Sequence, residues 1–466
     1  MINFGTGGWR AEIGKDFIEE NIKKVGQALA NRILDLKEND LPVVIGYDRR
    51  FLSTDAAKWL AEVLAANNIR VMFLHRSAPT PLIMHTVLKQ NLNYGIEVTA
   101  SHNPASYNGI KVIVKEGRDA PIEITDDLSK RANSLNDIKT ISFEDGINKS
   151  LITYFENPFN AFLDDILNTL DKDVIRNRGP RLLFDSMHGS STYPFNVIFY
   201  TLRCTIDQIH ANKDAFFGGN MPAPTESTLT LLKERVKNED YDLGIGVDGD
   251  GDRLGVIDSN GEYISANDIL VLLYYYLHEY KGWKGPVVRN LATTHLLDKI
   301  AKDFGEECYE VPVGFKHISS KIDEVNAVLG GESSGGLTVR GHIHGKDSIY
   351  ASALFVEMIC KTGMTASELL DKLHEKYGKT SFVECNLRLK EDVDLNTIDV
   401  PEFKQKVVRV NTIDGTKVYF EDDSFVICRH SGTEPLLRIF AEAKDESTAN
   451  SYIEAWKKYI KFKFKD

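Results

Sequence analysis

Tyr94–Val114, YGIEVTASHNPASYNGIKVIV, sets two apolar, partly β-branched runs on either side of a polar loop. YGIEVT, ending at Thr99, and GIKVIV, from Gly109 to Val114, read as strands, and Thr99-Ala100-Ser101-His102-Asn103-Pro104 as the loop leaving the first of them. Toward the N-terminus the same texture repeats. A helix starts near Pro81, RVMFL from Arg70 is a strand, and VVIGY (Val43 to Tyr47) is another. From Phe17 to about Leu36 apolar residues recur at helical spacing, and Ser53 and Thr54 read as caps of a second helix. Strands separated by helices imply an α/β domain with a parallel or mixed sheet.

The pattern continues toward the C-terminus. A polar stretch from Ser134 to Asn148 suggests a boundary, and a second α/β unit runs through RLLFDS (Arg181 to Ser186) and YDLGIGVD (Tyr241 to Asp248). A third contains the helical NDILVLLYYYLHEY from Asn267, the strand PVVRN (Pro286 to Asn290) and AVLGGESSGG (Ala327 to Gly336). After about Lys376 come shorter strands, FVECNLRL, KVYF, FVICRH and LLRIFAEA, and then a terminal helix, the texture of a small α+β domain with an antiparallel sheet. The expected division is therefore three α/β domains, 1–145, 146–254 and 255–375, with an α+β domain at 376–466.

Composition narrows the function. The 466 residues carry a formal charge of -12, with 42% hydrophobic and 27% charged side chains, which argues against a nucleic-acid partner or an anionic membrane surface. The longest apolar run, Ile269 to Leu277, falls short of the ~20 residues a spanning helix needs. Five dispersed cysteines without CxxC spacing point to a reducing compartment, and the opening MINFGTGGWRAEIG lacks the parts of a signal peptide. A cytoplasmic enzyme is the expectation.

Four loops have the residue types that chemistry needs. In the first, small and polar neighbours expose the Ser101 hydroxyl as a nucleophile or phosphate carrier, although an Asn-Pro turn with local hydrogen bonds reads equally simply. The second, Asp248-Gly249-Asp250-Gly251-Asp252-Arg253, places three carboxylates at alternate positions where they would converge on Mg²⁺ and would repel one another without a cation. The third, Gly330 to Gly336, offers Glu332 and Ser334 to sugar hydroxyls, or is a glycine-rich hairpin. In the fourth, Arg429-His430-Ser431-Gly432-Thr433-Glu434-Pro435, Arg429 can fork two phosphate oxygens while Ser431, Thr433 and the Gly432 N–H complete an anion nest, with Arg438 following. Arg10, in Gly5 to Arg10, and Lys316, in Gly314 to His317, are further cations able to meet phosphate.

Taken together and in order, TASHNP, DGDGDR, GESSG and RHSGTEP, with the opening FGTGGWR, resemble the α-D-phosphohexomutase superfamily over essentially the whole chain. The resemblance implies four domains around a central cleft and a phosphorylated Ser101. It places Asp248, Asp250 and Asp252, with Ser101, on Mg²⁺, Arg10, Lys111 and His102 beside the transferred phosphoryl, and Lys111 as acid or base once its pKa is lowered. It assigns Arg253, Lys316, Glu332, Ser334, Arg429, Ser431, Gly432, Thr433 and Arg438 to the substrate. The implied substrate is a hexose phosphate, with glucose 1-phosphate and glucose 6-phosphate interconverted through a hexose 1,6-bisphosphate. Mannose phosphates, or both sugars, are the alternative, glucosamine phosphate a further one, and a non-catalytic sugar-phosphate sensor a reading of another class. Two departures stand out: His430, where many relatives have Pro, Phe or another residue, and Gly336, where members with dual mannose and glucose specificity often carry His. A monomer or homodimer is expected.

Overall fold

The computed structural model describes residues 1–5, 7–388, 400–430 and 436–463. By its internal contacts the chain forms two units, one of Met1–Ala266 with Ser334–Thr365, the other of Asn267–Ser333 with Ala366–Asp466.

The first unit holds two sheets. In the larger, the strands Gly8–Glu12, Tyr107–Val114, Tyr94–Val98, Val43–Tyr47, Val71–Phe73 and Ile152–Tyr154 lie side by side in that order. Val43–Tyr47 pairs in parallel with both Tyr94–Val98 and Val71–Phe73, whereas Tyr107–Val114 runs antiparallel to Tyr94–Val98, so the sheet is mixed as the strand-helix alternation predicts. Tyr94–Val98 is buried along its length, which is why it reads as a continuous apolar run broken only by Glu97. Helices Glu19–Asp35 and Ser53–Ala66 cover the sheet through Ile22, Val25, Leu29, Leu60 and Leu64. Ile152–Tyr154, past the residue-145 boundary read from the sequence, adds to this sheet in parallel beside Val71–Phe73.

Ser53 and Thr54 do not cap their helix. The N-cap position is Leu52, at φ 63° and without a side-chain cap, and the Ser53 hydroxyl instead donates to Asp48 Oδ1 at 2.6 Å. Ser53 is already inside the helix, one residue past the N-cap, and its oxygen accepts from Asn108 Nδ2 at 2.9 Å rather than from a helix amide.

The smaller sheet sets Thr205–Ile209, Arg181–Asp185 and Leu243–Val247 in parallel and folds Leu254–Asp258 back antiparallel against the last. The Ser101 and Asp248–Asp252 loops thus have the same setting: each leaves the C-terminal end of a buried parallel strand and returns along an antiparallel neighbour.

In the second unit, Cys308–Val311 and Leu329–Gly331 flank Val287–Asn290, both in parallel. The C-terminal sheet is antiparallel, ordered Ser381–Arg388, Leu436–Ala443, Phe425–His430, Thr416–Phe420 and Val407–Asn411. It packs on the helix Glu446–Lys463 through Tyr452, Ile453 and Trp456. Among the described residues no helix is long and apolar enough to cross a membrane.

Candidate active site

Ser101 is 1% exposed and sits at φ 54°, a left-handed conformation that a serine holds only when its surroundings impose it. They do so from beneath. The buried guanidinium of Arg50 donates to the carbonyls of Ser101 (2.6 Å), Asn103 (2.6 Å), Pro104 (2.9 Å) and Tyr107 (3.0 Å), and its Nε lies 3.3 Å from Asp48. Asp48 accepts from the Thr99 hydroxyl at 2.7 Å, and that hydroxyl accepts the Ser101 N–H at 2.8 Å. The loop is anchored by its backbone, which leaves the Ser101 hydroxyl to face the acidic loop, 3.3 Å from Asp248 Oδ2.

Asp248, Asp250 and Asp252 are buried, and one carboxylate oxygen from each lies within 4.8 Å of the others. Burial, then Asp252 and Asp250, push Asp248 well above the ordinary carboxylate range. Burial acts the same way on Asp250 and Asp252, but cations outweigh it and both fall below that range. Lys111 Nζ reaches Asp250 Oδ2 at 2.6 Å and Asp252 Oδ2 at 3.1 Å, Lys346 Nζ lies 3.0 Å from Asp252 Oδ2, and the Thr80 hydroxyl donates to Asp250 at 2.7 Å. Even so, Oδ1 of Asp250 and Oδ1 of Asp252 are buried with no hydrogen-bond partner. Arg253 Nε lies 3.9 Å from Asp252 Oδ1, and an all-oxygen donor set with two carboxylate oxygens outside any hydrogen bond fits a hard divalent cation such as Mg²⁺.

Cations also gather beside Ser101. Arg10 donates to Asn103 Oδ1 at 2.7 Å, and burial, then Arg253, lower its pKa; the buried Nε atoms of Arg10 and Arg253 have no hydrogen-bond partner. His102 Nδ1 lies 3.4 Å from Ser101 Oγ, and burial, followed by Arg253 and Arg10, drives His102 well below its ordinary range, so the imidazole is neutral. Asp250 and Asp252 answer part of this positive charge, Asp252 Oδ1 lying 3.9 Å from Arg253 Nε.

In the second unit, Glu332 is buried at the end of Leu329–Gly331 and accepts from Asn290 Nδ2 at 3.1 Å and the Gly314 N–H at 3.3 Å. Lys316 lies in the first turn of the helix Phe315–Val325, which Gly314 opens at φ 127°. Arg429 and Arg438 are directly opposite each other on neighbouring antiparallel strands, and Asp414 Oδ1 lies 3.2 Å from both Nε and Nη2 of Arg429. Ser431, Gly432 and Thr433 lie outside the described residues.

Four sequence-family models match the chain in order: phosphoglucomutase/phosphomannomutase alpha/beta/alpha domains I, II and III over residues 1–139, 160–261 and 265–377, and the C-terminal domain over 384–457. The chain belongs to the phosphoglucomutase/phosphomannomutase family. It is a phosphohexomutase, an enzyme of the intramolecular phosphotransferase kind. The chain is 31% identical over 462 residues to a phosphoglucomutase/phosphomannomutase of Thermococcus kodakarensis, covering 97% of this chain and 96% of that one. To a phosphoglucosamine/phosphogalactosamine mutase of Sulfurisphaera tokodaii it is 29% identical, with 99% of each chain covered. A crystal structure of a phosphoglucomutase/phosphomannomutase family protein from Burkholderia thailandensis superposes with a TM-score of 0.83 over 99% of this chain and 98% of that one, at 23% identity, which speaks for the fold.

Against the sequence expectations, this phosphohexomutase gathers Ser101, His102, Arg10, Lys111, the three aspartates and Arg253 in its first unit, where Ser334 also belongs, and Lys316, Glu332, Arg429 and Arg438 in its second. Lys111 departs from expectation in one respect. Burial alone would lower its pKa, but Asp250 and Asp252 outweigh burial and raise it, so this arrangement holds it as a cation. Sequence reasoning missed Arg50, Asp48, Thr80 and Lys346. Lys346 lies in GHIHGKDSI, whose Ser348 hydroxyl donates to Gly251 O at 2.7 Å.

Proposed function

We propose that this phosphohexomutase is a phosphoglucomutase that interconverts α-D-glucose 1-phosphate and glucose 6-phosphate, with Ser101 as a reusable phosphate carrier. The observation that carries this reading is the setting of Ser101. Its hydroxyl lies 3.3 Å from Asp248 Oδ2 in the buried aspartate triad, and the same neighbourhood holds Arg10, bonded to Asn103 of the Ser101 loop, and Arg253, whose Nε is 3.9 Å from Asp252 Oδ1, neither Nε having a hydrogen-bond partner. A phosphate on Ser101 would answer the cations, and Mg²⁺ the carboxylates.

Asp248, Asp250, Asp252 and the phosphorylated Ser101 would hold the ion, which when bound supplies Lewis-acid polarisation of the phosphoryl oxygens. The chain's own residues do the rest. Arg50 fixes the loop so that Ser101 Oγ stays in line with an incoming sugar hydroxyl. As that hydroxyl attacks phosphorus, the bond to Ser101 Oγ breaks, the phosphoryl passes to the sugar, and the proton of the attacking hydroxyl ends on Ser101 Oγ. Lys111, cationic between Asp250 and Asp252, balances charge on the phosphoryl oxygens, while neutral His102, beside Oγ, is the group suited to moving the proton.

The product of that step is a hexose 1,6-bisphosphate, which must turn over and return its other phosphate to Ser101. Arg429 with Arg438, and Ser431, Gly432 and Thr433 of the RHSGTEP sequence, serve as holders of the phosphate that is not reacting, and Glu332, Ser334, Lys316 and Arg253 as contacts of the sugar and its phosphate. A division into four domains belongs to this proposal and draws support from the four matched models, with the first boundary moved past Ile152–Tyr154 and the second past Leu254–Asp258, the strands that complete the first two sheets. So does a cytoplasmic setting, supported by five free cysteines.

The relative from Thermococcus, named for both glucose and mannose activities, favours mannose phosphates as the second reading. Comparing kcat/KM for glucose 1-phosphate, mannose 1-phosphate and glucosamine 1-phosphate, each with its bisphosphate, separates them. Glucose leads if the proposal holds; a glucosamine 1-phosphate value above both would overturn it.

A further inference from the structure

A single carboxylate, Asp414, touches both halves of the second unit's substrate machinery. It sits in the turn before Thr416–Phe420, next to Gly415 at φ +77°, where a Cβ would come within 2.5 Å of Arg429 Cβ and of the Cys428 carbonyl. The turn is thus pressed against the strand that carries Arg429. Asp414 Oδ1 meets the Nε–Nη2 edge of Arg429 at 3.2 Å, while Oδ2 accepts the Val313 N–H at 2.8 Å. The next amide along, Gly314 N–H, donates to Glu332 Oε1 at 3.3 Å, and Gly314 opens the helix whose first turn holds Lys316.

We propose that Asp414 is a positioning residue that couples the phosphate grip to the sugar grip. With one oxygen it orients the Arg429 guanidinium, and with the other it fixes the Val313–Gly314 backbone that holds Glu332 and presents Lys316. Because its bonds take the Nε–Nη2 edge of Arg429, the fork formed with Nη1 is left for an anion of the substrate. This rests on the reading of Arg429 as holder of the non-reacting phosphate. The consequence falls on the bisphosphate as much as on the substrate: an enzyme whose Arg429 wanders lets the bisphosphate go before it has turned, and then depends on bisphosphate supplied from outside.

Asp414→Asn keeps an oxygen for the Val313 N–H and removes the charge facing Arg429. With glucose 1-phosphate or mannose 1-phosphate, whichever the wild type turns over faster, KM is expected to rise about tenfold while kcat stays within about twofold, the pattern of lost binding common to ground and transition states. The glucose 1,6-bisphosphate concentration needed for half-maximal activity rises in step. Arg429→Gln raises KM at least as far, and adding Asp414→Asn to it changes KM by less than about twofold, because the second change acts through the first. Asp414→Ser, too short to keep either contact, raises KM further than the Asn variant and decides the question if the Asn variant does not fold. A wild-type KM in the Asp414 variants beside a raised KM in Arg429→Gln overturns the coupling and leaves the phosphate site standing. A wild-type KM in Arg429→Gln overturns the phosphate reading of Arg429, and the inference with it.

Discussion

Replacing Arg50 by lysine tests whether Ser101 is held from beneath. The planar guanidinium serves four carbonyls of the loop at 2.6 to 3.0 Å and stacks over Phe217 at 4.8 Å from the ring centroid. A lysine ammonium keeps the charge beside Asp48 but has three donors on a compact head, so about two of the four loop bonds are lost. At ~1.5 kcal/mol for each bond made to a charged group, the loop loosens by about 3 kcal/mol. That is enough to shift the population of correctly placed Ser101 by about 100-fold, and a displacement near ~1 Å at a reacting atom costs about the same factor in rate. Steady-state assay of glucose 1-phosphate conversion should therefore show kcat down about 100-fold with KM within about threefold, since Arg50 is buried beneath the loop. Circular dichroism confirms that the variant is folded. A folded Arg50→Lys enzyme with kcat within about threefold of wild type would refute the anchoring.

Three further outcomes follow from other contacts. Asp252→Asn removes one carboxylate of the buried triad, and calorimetric titration with Mg²⁺ should show affinity falling about 100-fold; unchanged affinity would place the ion elsewhere. Gly336→Ala puts a Cβ 2.1 Å from Lys346 Cδ, so the lysine must leave Asp252; kcat is expected to fall about tenfold, as in Lys346→Met, and the double variant no further. Lys417, whose pKa burial and then Arg289 drive down to about 7, sits among Glu310, His295 and the Leu291 carbonyl. An unfolded lysine titrates near ~10.4, so between about pH 7 and about pH 10 the unfolded chain holds a proton that folded Lys417 has released, and this group adds stability as pH rises. Denaturant midpoints at about pH 7 and about pH 9 should show that gain in the wild type relative to Lys417→Met, and parallel behaviour of the two would contradict it.

What the sequence made legible was local. The Ser101 loop and the aspartate loop each follow a buried strand within a few residues, so a strand pattern ending in polar residues locates both. Alternate carboxylates at 248, 250 and 252 announce their own convergence, because only a shared cation or cations relieve their repulsion. Arg50 carried no such sign. Arg49-Arg50 at a strand end reads as solvated charge, and its role depends on carbonyls 51 to 57 positions away in the chain. Ser53 shows the converse failure: it has a capping residue's chemistry, but the N-cap falls one residue earlier, at Leu52, and its hydroxyl is spent on Asp48 and Asn108. A lowered pKa is expected for Lys111 from the sequence, but beside Asp250 and Asp252 it is raised, since burial and two aspartates act on it in opposite senses and only their geometry says which prevails.

The central claim is that Ser101 carries the phosphate, and the most direct measurement is to find it there. Peptide mass spectrometry of the full-length enzyme, after incubation with glucose 1,6-bisphosphate and removal of excess ligand, should place one acid-stable phosphate on Ser101, lost when glucose 6-phosphate is added without bisphosphate and absent from Ser101→Ala. A phosphate found instead on Asp248, Asp250 or Asp252, labile to hydroxylamine, would contradict the account, as would full turnover by Ser101→Ala.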